Sequence, residues 1–351
     1  MKIFITGNMG YIGPSVVNQL RASYPDSTLV GFDIGYFGNC ITSAEVLPEC
    51  RVDLQYFADI RKFPEEVLNG MDAIVHLAGI SNDPIGNRFE EVTLDINHRA
   101  SIDLAKKAKE AGVKSFVFAS SCSMYGTADD SARTEKSAIN PLTAYAKSKA
   151  YAERDLAPLA SEQFKITSLR FATGCGWSDR LRLDLVLNDF VAGAVASKGI
   201  TILSDGTPWR PLINVRDMAR AVDWAINREV DFEGGEFLAV NIGSDEWNYQ
   251  VKDLAEAVAK VIPDIDISIN KDAKPDKRSY RVNFDLFRKL APAHQPTVRL
   301  IESIKELNDR LEAMGFVDSN FRDSKYMRLK ALMELQEKGL VNEKLQWVKG
   351  A

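Results

Sequence analysis

A glycine-rich segment near the start of the chain, GNMGYIG at residues 7–13, restricts the possible folds more than any other feature. It stands between Lys2–Thr6, an apolar run typical of a buried strand, and Tyr11–Arg21, whose apolar residues have helical spacing. Glycines at such a junction permit a tight turn and let the backbone approach a pyrophosphate, which the free N–H groups of the helix then bind. In this context the segment predicts a dinucleotide site formed by Gly7, Gly10 and Gly13.

The predicted second strand, Thr28–Asp33, ends in a carboxylate. At that position Asp33 could simply cap a turn, but it could also accept hydrogen bonds from the ribose hydroxyls of an adenosine. A carboxylate there would repel a ribose 2′-phosphate. Together with the glycine segment, Asp33 therefore favours NAD over NADP as the cofactor.

Near-continuous apolar strands alternate with amphipathic helices through the first half of the chain. Further strands are predicted at 73–77, 115–119 and 166–170, and helices at 88–108 and 143–161. This alternation predicts an α/β fold with a Rossmann-type, doubly wound parallel sheet. The predicted division is a dinucleotide-binding domain at 1–172, joined by part of 205–245, a smaller interleaved substrate lobe at 173–297 and a helical C-terminal extension at 298–351.

Composition excludes several classes of protein. The net charge of −5 provides no basic surplus for binding nucleic acid. The sequence has no run of about 18 apolar residues, so no membrane span is predicted. The N-terminus is interpreted as a strand and not as a signal peptide, and the four cysteines form no CxxC pair. We therefore expect a reduced, cytoplasmic setting, and the three widely spaced histidines predict no metal site.

A tyrosine and a lysine four residues apart, Tyr145 and Lys149, begin the predicted helix 143–161. Residues at this spacing share a helix face, so the ammonium group should favour the phenolate and lower the pKa of Tyr145 from about 10. Taken alone, the pair would be an ordinary exposed one. Combined with the dinucleotide segment, it predicts a base that removes a hydroxyl proton while a hydride leaves the adjacent carbon.

With these features the sequence resembles the extended short-chain dehydrogenase/reductases, specifically the nucleotide-sugar epimerases and dehydratases. The motifs that carry the resemblance occur in the family's order: GNMGYIG (7–13), VHLAG (75–79), SSCSMYG (120–126), YAKSK (145–149), RFATGCGW (170–177) and WRPLINVRD (209–217). The resemblance implies a homodimer formed through the helices near 88–110 and 143–161. It also implies NAD as cofactor and a nucleotide-diphosphate sugar as substrate.

The family's functional positions transfer to numbered residues of this chain. Ser121, Tyr145 and Lys149 occupy the catalytic positions. The resemblance implies that the Ser121 hydroxyl would form a hydrogen bond with the sugar oxygen that becomes a carbonyl. The implied cofactor contacts are Gly7, Gly10, Tyr11, Ile12, Gly13, Asp33, Asp59, Ile60, Leu77, Ala78, Gly79, Tyr145 and Lys149. The implied substrate contacts are Ser121, Cys122, Ser123, Thr173, Asn188, Arg210 and Arg278. Arg210 corresponds to the family arginine on the nucleotide diphosphate, a group that a guanidinium pairs in bidentate fashion.

The chain departs from the family pattern directly after Ser121. The 4,6-dehydratases carry Asp and Glu in the two positions that hold Cys122 and Ser123 here, which argues against elimination of water. The decarboxylating relatives also use a Glu there. Cys122 could act as a weak acid near the sugar, although a packed thiol is the more common role of a free cysteine.

These observations favour an NAD-dependent nucleotide-sugar 4-epimerase with a transient 4-keto intermediate. The alternative is a reductase that uses the same residues in one direction on a nucleotide-4-ketosugar. A third hypothesis, a cofactor sensor without turnover, is disfavoured because Tyr145 and Lys149 are both present.

Overall fold

The computed structural model of the chain describes residues 1–42, 44–126, 131–230, 234–270, 272–273 and 279–348. The strands within these ranges are β1 (Lys2–Thr6), β2 (Thr28–Asp33), β3 (Leu54–Phe57), β4 (Ala73–His76), β5 (Ser115–Ser121), β6 (Lys165–Phe171), β7 (Thr173–Cys175), β8 (Gly199–Ile202), β9 (Trp209–Asn214), β10 (Phe237–Ile242), β11 (Asn248–Gln250) and β12 (Asp266–Ile269). The α-helices are α1 (Gly13–Ser23), α2 (Asp83–Arg88), α3 (Glu90–Leu94), α4 (Ala100–Glu110), α5 (Ala144–Leu156), α6 (Val186–Ser197), α7 (Val215–Asn227), α8 (Val251–Val261), α9 (Asp285–Leu290), α10 (Leu300–Ala313) and α11 (Arg328–Glu337).

Seven parallel strands form the central sheet, in the order β10-β6-β5-β4-β1-β2-β3. Apolar clusters lie on both faces: α1 and α7 cover one face, and α4 and α5 cover the other. Strands β4 and β5, at the centre of the sheet, are buried on both sides, which is why they read as continuous apolar runs without alternation, whereas the edge strand β3 is largely exposed. The predicted Rossmann-type α/β fold is confirmed.

The prediction of one continuous helix at 88–108 is wrong. A π-helical turn at Asp95–Arg99 separates α3 from α4. The inserted turn places Asn97 against the chain after β4, where its side chain accepts from Ile80 N at 2.7 Å and donates to Ile80 O at 2.8 Å. Single π turns of this kind often occur at functional sites. Apolar periodicity misses it because the register changes by only one residue.

A second lobe lies beside the sheet. It contains the three-stranded sheet β11-β9-β7, the pair β12-β8 and a separate apolar core. The chain returns from this lobe to the central sheet through α7 and β10, and β10 pairs with β6. In the C-terminal extension, α10 packs on α6 and α8, while α11 contacts α2. The extension therefore packs on the body of its own chain.

His76, at the end of β4, is fully buried between two hydroxyl groups. Its Nδ1 lies 2.6 Å from Thr6 Oγ1 and its Nε2 lies 2.8 Å from Ser101 Oγ. Burial, assisted by the nearby positive charge of Lys149, lowers the pKa of His76 to about 3. The folded protein thus keeps this imidazole neutral at pH values where the unfolded chain would protonate it.

Acidification should therefore destabilise the fold through His76. The unfolded state binds the extra proton between pH about 6.5 and about 3, so stability falls as the pH falls through that window. From pH 7 to pH 5 we expect a loss of about 2 kcal/mol from this group. Urea unfolding of the wild type and of His76→Gln at both pH values measures it. The variant should show a smaller loss on acidification, and His98→Gln, which removes a partly exposed histidine, should behave like the wild type. Equal pH dependence in all three proteins would contradict this account.

Candidate active site

Two neighbouring cavities open where the parallel strands end, the usual location of ligand sites in α/β sheets. The larger one, the cleft, has a volume of about 810 Å³ and is lined by residues that follow β5, by α5 and by the second lobe. The smaller one, the cofactor cavity, has a volume of about 130 Å³ and is lined by the glycine segment and the ends of β2 and β4. Tyr11, Ile12, Leu77 and Gly79 line both, so the two cavities meet beside them.

The glycine segment lies directly against the end of β4. Gly7 has φ +73°, and a Cβ there would stand 2.5 Å from Ala78 N. Gly7 and Gly10 line the cofactor cavity, as do Ala78 and Ile12. The backbone thus comes closest where side chains are absent, and this shape fits a dinucleotide.

The predicted cofactor contact of Gly13 stays a prediction. Gly13 is buried behind the turn and is absent from the lining of the cofactor cavity. A Cβ on Gly13 would lie 2.0 Å from Asn8 O. Its role is to let the first turn of α1 pack on the segment, where Pro14 occupies the start of the helix.

Asp33 lies at the end of β2 and performs the turn-capping role considered from the sequence, while its predicted contact with the adenosine ribose stays a prediction. Its Oδ1 accepts from Gly35 N at 2.7 Å, which closes a turn, and its Oδ2 accepts from Met9 N at 3.0 Å, which fixes the glycine segment. Asp33 also lines the cofactor cavity. Burial raises the pKa of its carboxyl group, and the two backbone hydrogen bonds oppose that change.

Asp59 and Ile60 line the same cavity at the side of β2 and β3. Arg61 holds the Asp59 carboxylate through its Nε, 2.9 Å from both oxygens, so this carboxylate has a fixed orientation.

The end of the C-terminal extension fastens onto this side of the cofactor cavity. Arg61 Nη1 donates to Lys344 O at 2.7 Å, and Trp347 Nε1 donates to Ile34 O at 2.7 Å. The hydroxyl of Tyr36, another residue of the cavity lining, donates to Leu345 O. Residues 344–347, hereafter the tail, thus cross over the chain that follows β2. Helix α11 contributes Arg328 and Leu332 to the cavity lining itself.

Tyr145 and Lys149 lie on one face of α5 and both line the cleft. The helix begins after Thr143, which accepts from Ala146 N at 3.2 Å and donates to Asp83 at 2.6 Å. Lys149 Nζ lies 5.9 Å from the centre of the Tyr145 ring and donates to Ala119 O at 2.6 Å. The predicted adjacency of the two side chains is thus present in the structure.

The predicted lowering of the Tyr145 pKa is not what the protein alone produces. Burial raises the pKa of the phenol, the hydrogen bond with Ser121 opposes the rise, Asp83 adds to it, and Arg182 opposes it. The ammonium group of Lys149 is directed at Ala119 O, 2.6 Å away, and lies 4.7 Å from the centre of the Phe118 ring. Spacing along a helix fixes which residues are neighbours, but it does not fix which acceptor an ammonium group chooses.

Lys149 is 5% exposed, and burial lowers its pKa to about 8. Glu153, one helical turn further along α5, partly opposes that change. Near neutral pH the ammonium form still predominates. Lys149 thus provides a positive charge that small changes in its surroundings can remove.

The residues after β5 divide between cleft and core. Ser121 and Ser123 line the cleft, and Ser121 Oγ accepts from Ser123 N at 3.1 Å. Ser123 Oγ is buried and has no hydrogen-bond partner within the described part of the chain. Cys122 is 0% exposed, its thiol donates to Arg170 O at 3.0 Å, and burial raises its pKa. Its predicted substrate contact is therefore corrected to a packing role.

The other predicted substrate residues lie at different depths. Thr173 and Arg210 line the cleft. Asn188 is 0% exposed and holds the loop before α6, accepting from Gly176 N at 2.9 Å and donating to Arg182 O at 2.9 Å. Its predicted contact with the diphosphate is corrected accordingly. Arg278 lies outside the described residues.

Several charged residues in or behind the site were not identified from the sequence, among them Arg182 and Glu153. Arg182 lines both cavities, and its Nε donates to Asp184 at 2.8 Å. Glu153 is buried, and its carboxylate pairs with Arg170 at 2.7 Å and accepts from Ser120 at 2.6 Å. The spacing Tyr145, Lys149, Glu153 continues one helix face and could have predicted Glu153. No comparable pattern marks Arg182, which lies in a loop.

The described residues contain neither a cluster of metal ligands nor a membrane-spanning helix. Across the ranges given above, no three His, Cys, Asp or Glu side chains are grouped as a metal site would require. No helix in those ranges has the length and apolar character needed to cross a bilayer.

The sequence is similar to a known protein family and to individual curated proteins. The sequence profile of the NAD dependent epimerase/dehydratase family matches residues 3–243. An uncharacterized UDP-glucose epimerase of Bacillus subtilis (strain 168) is 28% identical over 232 residues, which is 63% of this chain and 71% of that protein.

Solved structures show the same fold. The NDP-hexosamine 5,6-dehydratase TunA superimposes with a TM-score of 0.76 at 21% identity, covering 89% of this chain and 98% of its own. A UDP-glucuronic acid 4-epimerase from Bacillus cereus, in complex with UDP-glucuronic acid and NAD, gives a TM-score of 0.75 at 21% identity, covering 90% and 100%. At these identities the likeness establishes the fold alone.

Proposed function

The chain belongs to the NAD dependent epimerase/dehydratase family, as its motifs indicated, and on that premise we propose that it is a nucleotide-sugar 4-epimerase. Members of the family are NAD-dependent enzymes, so the protein is an enzyme and its cofactor is NAD. We assign the cofactor to the cavity lined by Gly7, Gly10 and Asp33, and the sugar to the cleft lined by Ser121 and Tyr145.

One observation carries the choice of epimerisation over elimination. The two residues after Ser121 are a buried thiol and a hydroxyl, so neither of these two positions holds a carboxylic acid. The carboxylates among the described lining residues of the cleft, Asp83, Asp184 and Asp189, each accept a hydrogen bond or an ion pair from a neighbouring side chain. Redox chemistry at one carbon requires only a base, a hydrogen-bonding partner and the hydride carrier.

The proposed chemistry uses the residues as follows. The nicotinamide of bound NAD supplies a reversible hydride acceptor. Tyr145 removes the proton of the C4 hydroxyl as the hydride leaves C4, and Ser121 donates a hydrogen bond to the oxygen that becomes the carbonyl. The 4-keto sugar then presents its other face, and Tyr145 returns the proton as the hydride comes back, which inverts the centre. Lys149 keeps a positive charge next to this exchange.

The substrate side of the proposal rests on polar groups at the cleft. Arg210 lines it from β9 and suits a diphosphate, because a guanidinium can pair two phosphate oxygens at once. Thr173 and Ser123 line the cleft as well, and the unpartnered hydroxyl of Ser123 suits a sugar hydroxyl. The relative from Bacillus subtilis is named a UDP-glucose epimerase, which makes UDP-hexoses the first substrates to test.

Incubation with UDP- and GDP-sugars and NAD tests the proposal. We expect NMR of the products to show one inverted centre, with no net accumulation of NADH. A 4-keto sugar nucleotide offered with NADH provides the comparison: stoichiometric loss of NADH absorbance would establish the alternative, a ketoreductase. Absence of turnover across the whole panel would reject both assignments.

The predicted homodimer stays a prediction. Its proposed surface is formed by α4 and α5, where His98 and Asp155 pair at 2.7 Å and Tyr151 is 37% exposed. Light scattering of the purified protein measures the assembly directly.

A further inference from the structure

Two arginines of the cofactor cavity have donors that the protein leaves unused. Arg182 is 5% exposed and Arg328 is 1% exposed, and both line the cavity. Arg182 Nη2 and Arg328 Nη1 are buried and find no hydrogen-bond partner among the described residues. A buried donor on a charged group without an acceptor is costly, and native structures usually supply the acceptor. Here the adjoining cavity is the place from which an acceptor can come.

Arg182 and Arg328 are both bound to the carboxylate of Asp184. Asp184 accepts from Arg182 Nε at 2.8 Å and from the backbone N of Arg328 at 3.3 Å, so one carboxylate anchors both residues. Arg328 Nη2 also donates to Arg180 O at 2.8 Å. Burial lowers the pKa of Arg328 to about 10; Cys40 and Asp184 oppose this change, and the charges of Arg182 and Arg180 add to it. Positive charges in a buried site favour an anion beside them.

Their position along the cavity indicates which part of a ligand they meet. Arg182 lines both the cofactor cavity and the cleft, like Tyr11 and Ile12 of the glycine segment. The junction of the two cavities is where a dinucleotide must pass from its adenosine half to its nicotinamide half. The group at that point of NAD is the pyrophosphate.

We propose that Arg182 and Arg328 bind the NAD pyrophosphate from the side opposite the glycine segment, so that the C-terminal extension completes the cofactor site. Arg328 is the first residue of α11, in a part of the chain beyond the region that matches the family profile. Guanidinium groups suit this role because each can donate two parallel hydrogen bonds to phosphate oxygens. The inference concerns cofactor binding and is independent of which sugar the enzyme converts.

The test compares ligands with and without a pyrophosphate on protein freed of nucleotide. NADH affinity is measured by fluorescence titration, and ADP-ribose and adenosine are then used to displace NADH. For Arg328→Gln we expect NADH and ADP-ribose to bind about 10- to 100-fold more weakly, as for the loss of a charged hydrogen bond, while adenosine binds as in the wild type. Lys330→Gln, which removes a solvent-exposed charge from the same helix, is the matched control and should change none of these affinities.

Three outcomes would overturn the proposal. Equal weakening of ADP-ribose and adenosine would make Arg328 a packing residue, and unchanged NADH affinity would remove it from the site. A loss confined to UDP, measured by calorimetry on the NAD-loaded protein, would assign the arginine to the substrate diphosphate instead. If Arg328→Gln does not fold, Arg328→Lys carries the same comparison, with the same order of effects and smaller factors expected.

Discussion

Replacing Tyr145 by phenylalanine should lower the rate of sugar epimerisation by about 10²- to 10⁴-fold, the usual contribution of a positioned acid–base group. The substitution removes only the hydroxyl, so the ring should keep its place on α5. Tyr145 packs closely on Gly86, where an added Cβ would lie only 3.3 Å from Tyr145 Cβ. NADH affinity and the unfolding temperature should therefore stay close to those of the wild type. The measurement is the rate of interconversion of the substrate identified above, with binding of NADH followed separately.

The pH dependence of the rate tests the electrostatics of the site. Because burial raises the pKa of Tyr145 while Ser121 and Arg182 oppose that rise, the wild-type rate should increase with pH as the phenol ionises. Arg182→Gln should move this dependence to higher pH, since one of the opposing charges is lost. Tyr151→Phe is the control, because this exposed tyrosine of α5 stacks on Arg154 and lies outside the cleft lining. Wild-type rates in Tyr145→Phe would show that another group is the base.

Glu153→Gln should have the largest effect on stability, about 3–5 kcal/mol, because it leaves the charge of Arg170 buried without its partner. The carboxylate accepts from Arg170 Nη2 at 2.7 Å, from Ser120 at 2.6 Å and from Ser168 at 2.8 Å. It therefore ties α5 to the ends of β5 and β6. A neutral amide keeps the shape but loses the charge and part of the accepting capacity. Urea unfolding at pH 7 measures the difference.

The substitution should also affect Lys149. Glu153 holds the pKa of Lys149 up against burial, so removing its charge should bring that pKa below about 8 and favour the neutral amine. Glu91→Gln, which breaks an exposed pair with Arg99, is the matched control and should change stability by less than about 1 kcal/mol. If both variants lost the same free energy of unfolding, the buried pair of Glu153 and Arg170 would contribute no more to stability than an exposed pair.

Strands β1, β2, β4, β5 and β6 of the central sheet could be predicted because each is a short apolar run, whereas β10 and the largely exposed β3 were not predicted. The glycine segment, Asp33 and the pair on α5 could be predicted because their spacing alone determines which groups become neighbours. The burial of individual side chains near the site could not be predicted in the same way. Cys122 and Ser123 are adjacent in sequence, yet one faces the core and the other the cleft, because the chain turns immediately after β5.

Contacts between distant segments were beyond prediction for a related reason. Arg182 and Arg328 are 146 residues apart, and only the folded chain shows that one carboxylate, Asp184, holds both. The π turn at Asp95–Arg99 alters the helical register by a single residue, and the sequence gives no glycine or proline to mark it. Both features depend on tertiary packing and not on local propensity.

The tail of residues 344–347 bears on how the enzyme can use its cofactor. Its bonds to Tyr36 and Ile34 attach it to two residues that line the cavity, so opening this side of the cavity would require the tail to move or these bonds to break. An epimerase regenerates its oxidised cofactor in every cycle and loses nothing by keeping it permanently. A ketoreductase must exchange a spent dinucleotide for a fresh one at every turnover, and the same fastening would limit its speed. Under the proposed function, a tail that stays fastened is compatible with NAD retained as a prosthetic group.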